Sequence, residues 1–170
     1  RQFDKADLRR HVGTVLQEVW LMSGTVRHNI ALGTRRPLAE DILWASQVAG
    51  VHDFIASHPD GYNLKLAERG EGLSGGQRQA ISIARAIIGK PKILVMDEPT
   101  SAMDVNAEKL LIERLKANVK DCTLLVITHK ATLLDLVDRV IVIDQGKVVA
   151  DGPKEIVLKP NSQPAPGASA

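Results

Sequence analysis

Leu73-Ser74-Gly75-Gly76-Gln77, followed one helix length later by Ile93-Leu94-Val95-Met96-Asp97-Glu98-Pro99-Thr100, decides how this chain folds. Ser74 and Gln77 stand at the S-x-x-Q spacing of a capping box, which predicts a helix opening at Ser74 with its first amides unpaired. Gly75 and Gly76 remove side chains where an anion would approach the backbone, and a helix N-terminus favours negative charge, so a phosphate fits there. Ala80, Ile81, Ala84, Ile87 and Ile88 continue the helix as an apolar stripe, and Gly89-Lys90-Pro91 stops it.

The uninterrupted apolar run from Ile93 to Met96 predicts a strand of a parallel sheet, covered on both faces. Asp97 and Glu98 then stand at its carboxyl end, where open α/β sheets place their ligands. Two adjacent carboxylates can divide the labour, one holding Mg²⁺ through water and the other polarising an attacking water. A second buried strand is expected over Thr123 to Thr128, and it would bring His129 beside Asp97 and Glu98 if the two strands are neighbours. Between the strands a helix from about Asn106 to Asn118 is expected to turn Ala107, Leu110, Leu111 and Leu115 inward, with Asp104 near its start.

The rest of the chain fits around these elements. Val12 to Leu16 leads as a strand to Gln17. From Gly24 to Gly89 the pattern is helical, with Leu38, Ile42, Ala45 and Ala49 on one face between Pro37 and Gly50, a shorter helix from Val51 to Ser57, and a turn at Pro59-Asp60-Gly61. Val140 to Ile143 and Val148 to Ala150, joined through Asp144-Gln145-Gly146, read as a hairpin. Residues 160–170, rich in Pro, Ser, Ala and Gly, read as a disordered tail. Hydrophobic residues make up 44% of the 170 and aromatics only 3%, so the core is aliphatic. A net charge of +2 gives no reason to invoke nucleic acid. Cys122 is the one cysteine, consistent with a reducing cytoplasm, and no apolar run approaches the ~20 residues of a membrane span. His11, His28, His52 and His58 fit no ligand spacing and read as surface residues, and Trp20 and Trp44 as packing residues.

From about residue 10 to residue 155 the chain resembles an ATP-binding cassette (ABC) ATPase. Leu73 to Gln77 is similar to the signature sequence, Ile93 to Glu98 to the Walker B motif, Gln17 to the Q-loop glutamine, Ser101-Ala102-Met103-Asp104 to the D-loop and His129 to the switch histidine. The resemblance implies an α/β fold, a P-loop NTPase (RecA-like) core without its N-terminal Walker A part, joined to a helical signature subdomain. The corresponding regions are 1–23 and 90–159 for the core and 24–89 for the helical part. It implies ATP and Mg²⁺ as cofactors, with Glu98 as general base, His129 contacting the γ-phosphate, Asp97 holding Mg²⁺ through water, and Gln17 touching both Mg²⁺ and the attacking water. Ser74, Gly75, Gly76 and Gln77 would serve ATP held by a second nucleotide-binding domain in a head-to-tail dimer, and Asp104 and Gln17 are likewise implied to be ATP-binding.

No G-x-x-x-x-G-K-[ST] run occurs: Gly89-Lys90 precedes proline and Gly146-Lys147 precedes valine. In the family that loop and the adenine-stacking aromatic lie upstream of the Q-loop, so the chain is expected to be the C-terminal part of a cassette within a longer polypeptide, inactive alone. Without that strand the sheet is expected to expose an edge. Gly24-Thr25-Val26-Arg27-His28-Asn29-Ile30 and the X-loop-like Glu68-Arg69-Gly70 resemble exporters. The run from Leu133 to Arg139, continuing into Asp144 to Pro153, resembles the ATPases of bacterial type I secretion. That implies a transmembrane domain in the same polypeptide, an exported protein or peptide, and a place on the cytoplasmic face of the inner membrane. A soluble ABC ATPase and a non-catalytic domain completing a partner's site are the alternatives.

Overall fold

The computed structural model describes residues 4–159, which fall into two compact units divided between His129 and Lys130. The expected disordered tail, 160–170, lies outside the described residues. The first unit contains α1 (Lys5–Arg10), β1 (Val12–Val15), β2 (Gly24–Thr25), α2 (Val26–Ala31), α3 (Ala39–Ala49), α4 (His52–Ser57), β3 (Lys65–Leu66), α5 (Gly75–Ile87), β4 (Ile93–Asp97), α6 (Val105–Asn118) and β5 (Thr123–Ile127). The largely helical stretch from Gly24 to Gly89 also contains a short antiparallel pair, in which Gly24 and Thr25 of β2 face Leu66 and Lys65 of β3.

The sheet that carries the carboxylates is parallel, in the order β1-β4-β5. Val12 pairs with Ile93 and Ile93 with Thr123, so the three strands run in step and end together. β4 is therefore central, with the residues that follow β1 and β5 on either side of Asp97 and Glu98. Helix α5 packs on β1, α2 and α3, and its Ile81, Ile83 and Ile87 are fully buried. Two glycines allow that approach. A Cβ on Gly13 would overlap the Ala86 carbonyl oxygen, and one on Gly33 would overlap the Arg85 carbonyl oxygen and lie 2.7 Å from Ile88 Cγ2.

Expectations about burial are corrected at several points. The strands are not covered on both faces: Leu94 and Met96 are fully buried, but Ile93 is 39% exposed and Leu125 and Ile127 are each 51% exposed. Register places Val95 opposite Leu125 and Asp97 opposite Ile127, so the open residues share one face of the sheet. An apolar run shows that a strand tolerates burial on both faces, whereas the elements packed against it decide whether it is buried. In α6 the inward residues are Glu108, Leu111, Ile112 and Leu115, while Ala107 and Leu110 are exposed. The true stripe is turned by one position because Glu108, a charged residue, lies on the buried face. His11 and His28 are exposed as expected, but His52 and His58 are half-buried, and His52 Nδ1 lies 3.0 Å from the Tyr62 hydroxyl. Trp44 is half-buried with Lys90 Nζ 5.4 Å above its ring, whereas Trp20 is 52% exposed beneath the Arg69 guanidinium.

The second unit begins with a 3-10 turn, Ala131–Leu136, and continues through β6 (Arg139–Asp144), β7 (Lys147–Pro153) and α7 (Lys154–Val157). β6 and β7 form the expected hairpin. Gln145 and Gly146, at φ 47° and 76°, make the two-residue left-handed turn that matches strand twist. Arg139 grips Asp151 across the strands through two 2.8 Å hydrogen bonds. Among the described residues no helix is long and apolar enough to cross a membrane.

The close approach at Gly33 makes a direct test of the α5 packing. Gly33→Ala is expected to destabilise the chain by about 1–3 kcal/mol, the usual range for an overpacked site; an unchanged urea unfolding midpoint would contradict the packing described.

Candidate active site

Each end of the decisive stretch folds as its local chemistry requires. At α5, Ser74 Oγ accepts from the Gln77 amide at 3.1 Å while Gln77 Oε1 accepts from the Ser74 amide at 2.8 Å, a complete capping box. The amides of Gly75 and Gly76 stand at the first two helical positions, where the helix ladder offers them no acceptor. Gly76 faces the Ala102 carbonyl and Met103 so closely that a Cβ would lie 3.2 Å from that oxygen. Asp104 caps α6, accepting from the amides of Asn106 and Ala107 at 2.9 Å each. Ser74 to Gln77 and Met103-Asp104 line one groove of about 550 Å³, together with Phe54, Leu110 and Arg114.

The second cluster lies at the carboxyl ends of β4 and β5. Glu98 leaves β4 with φ 45°, in the left-handed region that a residue with a side chain enters only when its surroundings hold it there. The Glu98 amide donates to Ile127 O at 2.9 Å, and Glu98 O accepts from the Ser101 amide at 3.1 Å. This turn points the carboxylate across to the end of β5. There Oε1 accepts from the His129 amide at 3.0 Å and lies 2.7 Å from His129 Nδ1, and Oε2 accepts from the Thr128 hydroxyl at 3.2 Å. An ionised carboxylate only accepts, so Nδ1 carries the proton of that contact and Nε2 is left to face outward on an imidazole that is 81% exposed.

Asp97 ends β4 half-buried, and Gln17 is exposed two residues beyond the end of β1. Register sets Val15 beside Met96 and Asp97 beside Ile127, so Gln17, Asp97, Glu98 and His129 all leave the same edge of the sheet. Side-chain contact joins Glu98 to His129 directly. The groove beside the signature residues includes none of Gln17, Asp97, Glu98 or His129, so the two clusters are separate surfaces.

Three polar residues that join these parts escape a reading by apolar periodicity. Gln79, inside α5 and 1% exposed, donates to Glu98 O at 2.9 Å and accepts from the Ala102 amide at 3.1 Å. Arg85, further along α5, donates to Asn29 O, Asn29 Oδ1 and Trp20 O at 2.8–2.9 Å, and burial lowers its pKa. Asn29, fully buried, accepts from the Met22 amide and donates to Met22 O and Thr25 O. That network fastens the segment after Gln17 to the signature helix. The available signal was the presence of Gln79 and Arg85 within a helix otherwise buried through Ile and Ala.

Burial raises the Glu98 pKa, but the His129 ring, the His129 amide, the Thr128 hydroxyl and the charge on His129 outweigh it, so the pKa lies below its ordinary value. A carboxylate shifted this way stabilises the fold fully above its unfolded pKa, and that contribution is lost as pH falls through the lowered one. Glu98→Gln is therefore expected to be less stable than the unsubstituted chain near neutrality, with the gap closing as pH falls through and below the ordinary carboxylate range. Urea unfolding across that range checks it; a gap that widens in acid would contradict the arrangement.

Comparison with known proteins agrees with this geometry. The family model described as "ABC transporter" matches residues 1–101. The alpha-hemolysin translocation ATP-binding protein HlyB of Escherichia coli is 42% identical over 156 residues, 91% of this chain and 22% of that protein. The putative multidrug export ATP-binding/permease protein YgaD of Bacillus subtilis is 38% identical over 96% of this chain and 28% of its own length. The chain thus spans only 22–28% of the length of these curated relatives. A solved structure of a bacterial Atm1-family ABC exporter with ATP bound superposes with a TM-score of 0.84 at 33% identity, over 90% of this chain and 27% of that one. An α/β chain with these two polar surfaces, matched along most of its length, belongs to the ABC transporter family.

Proposed function

We propose that this chain is part of the nucleotide-binding domain of an ABC exporter, in which ATP binding and hydrolysis drive export of a protein or peptide by type I secretion. The observation that carries the reading is the 2.7 Å contact between the Glu98 carboxylate and His129 at the ends of adjoining parallel strands. The names of the relatives, among them HlyB and the leukotoxin export ATP-binding protein LtxB of Aggregatibacter actinomycetemcomitans, support protein cargo.

Glu98, kept ionised by its neighbours, accepts the proton of a water attacking the γ-phosphate, and His129 turns its outward nitrogen to the phosphate, donating to it when both ring nitrogens carry a proton. Among the described residues no group of three or more His, Cys, Asp or Glu side chains could cage a metal ion. Mg²⁺ carried in with nucleotide takes one or two protein ligands and completes its shell with phosphates and water. Asp97, through water, and Gln17 would hold it. The ion would neutralise charge developing on the phosphate oxygens.

The free amides of Gly75 and Gly76, with Ser74, Gln77 and Asp104, would close over ATP bound to a second nucleotide-binding domain, arranged head to tail. Their separation from Glu98 and His129 supports service to a different nucleotide. Residues 24–89 would act as the helical subdomain. The Arg85–Asn29 network makes it rigid with the segment after Gln17, so that loss of the γ-phosphate at Gln17 rotates the whole against a transmembrane domain. On this reading the chain works at the cytoplasmic face of the inner membrane, with a transmembrane domain and not nucleic acid as its partner.

In the full-length polypeptide, Glu98→Gln is expected to slow ATP turnover by ~10²-fold or more, as removal of a general base does, while ATP binding survives. Turnover at the unsubstituted rate would remove Glu98 from the catalytic role.

A further inference from the structure

Gln79 occupies a position that ties the two polar surfaces of this chain together. It lies one helical turn after Gly75 on α5, so both sit on the same side of the helix. Gly75 and Gly76 pack against Ala102 and Met103, while the Gln79 side chain reaches both ends of the turn that leaves β4. Nε2 donates to the Glu98 carbonyl at 2.9 Å and lies 3.5 Å from Ser101 Oγ, and Oε1 accepts from the Ala102 amide at 3.1 Å. One carboxamide, 1% exposed, thus joins the first and last peptides of the turn 98–102 to the signature helix.

Burial makes these bonds obligatory. A carboxamide closed off from water must keep its donors and acceptors paired inside the protein, so losing either bond leaves part of it unsatisfied. Glu98 meanwhile holds a left-handed φ of 45° and needs outside restraint to stay there. If the Glu98 peptide rotated toward ordinary strand geometry, its carbonyl would swing away from Gln79 and the carboxylate away from His129. The restraint on the backbone and the aim of the side chain are one constraint.

We propose that Gln79 is a positioning residue: it holds the Glu98 peptide so that the carboxylate meets His129, and it links occupation of the signature surface by a second copy's nucleotide to this carboxylate. The proposal rests on the reading of Glu98 as general base. A shift of α5 or of Ala102 under a bound phosphate moves the carboxamide, and Glu98 moves with it.

The test is steady-state ATP turnover by the full-length protein carrying Gln79→Met, which keeps length but loses the amide, or Gln79→Glu, which keeps an acceptor for Ala102 but sets an oxygen against the Glu98 carbonyl. Both are expected to lower kcat by ~10-fold or more, short of or near the ~10²-fold that a displacement of roughly 1 Å brings. KM for ATP should stay within about twofold. In a Glu98→Gln background Gln79→Met should add less than about twofold, since two changes acting through one group do not add. Thermal unfolding of each variant reports the folded fraction. Normal kcat in Gln79→Met, a loss that adds in full to Glu98→Gln, or failure of both variants to fold would overturn the proposal and leave Gln79 a structural amide. Normal turnover by Glu98→Gln alone would instead overturn the reading on which it rests.

Discussion

The turn at Glu98 is the constraint on which the rest of the structure depends. A carboxylate at the end of a central parallel strand would by default continue outward along the strand. A left-handed residue at that point, tied by its amide to Ile127 and by its carbonyl to Gln79 and Ser101, directs the side chain sideways onto His129. For this to work β5 must end in step with β4, which parallel register ensures, and α5 must lie close enough for a glutamine to reach the turn. Gly13 and Gly33 make that approach possible by removing the side chains that would hold α5 away.

The same turn separates two kinds of polar surface. The start of α5 offers backbone amides and a helix dipole, suited to holding charge without moving a proton. The ends of β4 and β5 offer an ionised carboxylate, an imidazole and a second acid, suited to moving a proton. The capping box takes up the Gln77 amide and Gln77 Oε1, so the two glycine amides, the Ser74 hydroxyl and Gln77 Nε2 are donors left for an incoming anion. Helix α5 thus carries open amides at its tip and, one turn in, a contact with the turn at Glu98.

Much of this was legible in the sequence because it is written in local chemistry. Ser74 and Gln77 specify their cap through spacing alone, Asp104 its own, and Gln145-Gly146 the hairpin turn. The position of Asp97 and Glu98 at a strand end followed from the apolar run before them, and that of His129 from the run before it. What was not legible depends on partners distant in the chain. The open face bearing Ile93, Leu125 and Ile127 has the same composition as a covered one. In α6 the stripe of Leu111, Ile112 and Leu115 begins at Glu108, and counting apolar residues picks Ala107 instead. Gln79, Arg85 and Asn29 act through carbonyls and amides, groups that every residue possesses, so no spacing of side-chain types announces them. The left-handed Glu98 is the clearest case: nothing in Asp97-Glu98-Pro99 requires it until α5 is in place.

The most direct measurement is a structure of the full-length protein carrying Glu98→Gln with ATP and Mg²⁺ bound. The expected result has the γ-phosphate within hydrogen-bonding reach of His129 and residue 98 of one copy, and of the Gly75 and Gly76 amides of a second copy facing it head to tail. A γ-phosphate remote from His129, or signature glycines open to solvent while nucleotide is bound, would contradict the account.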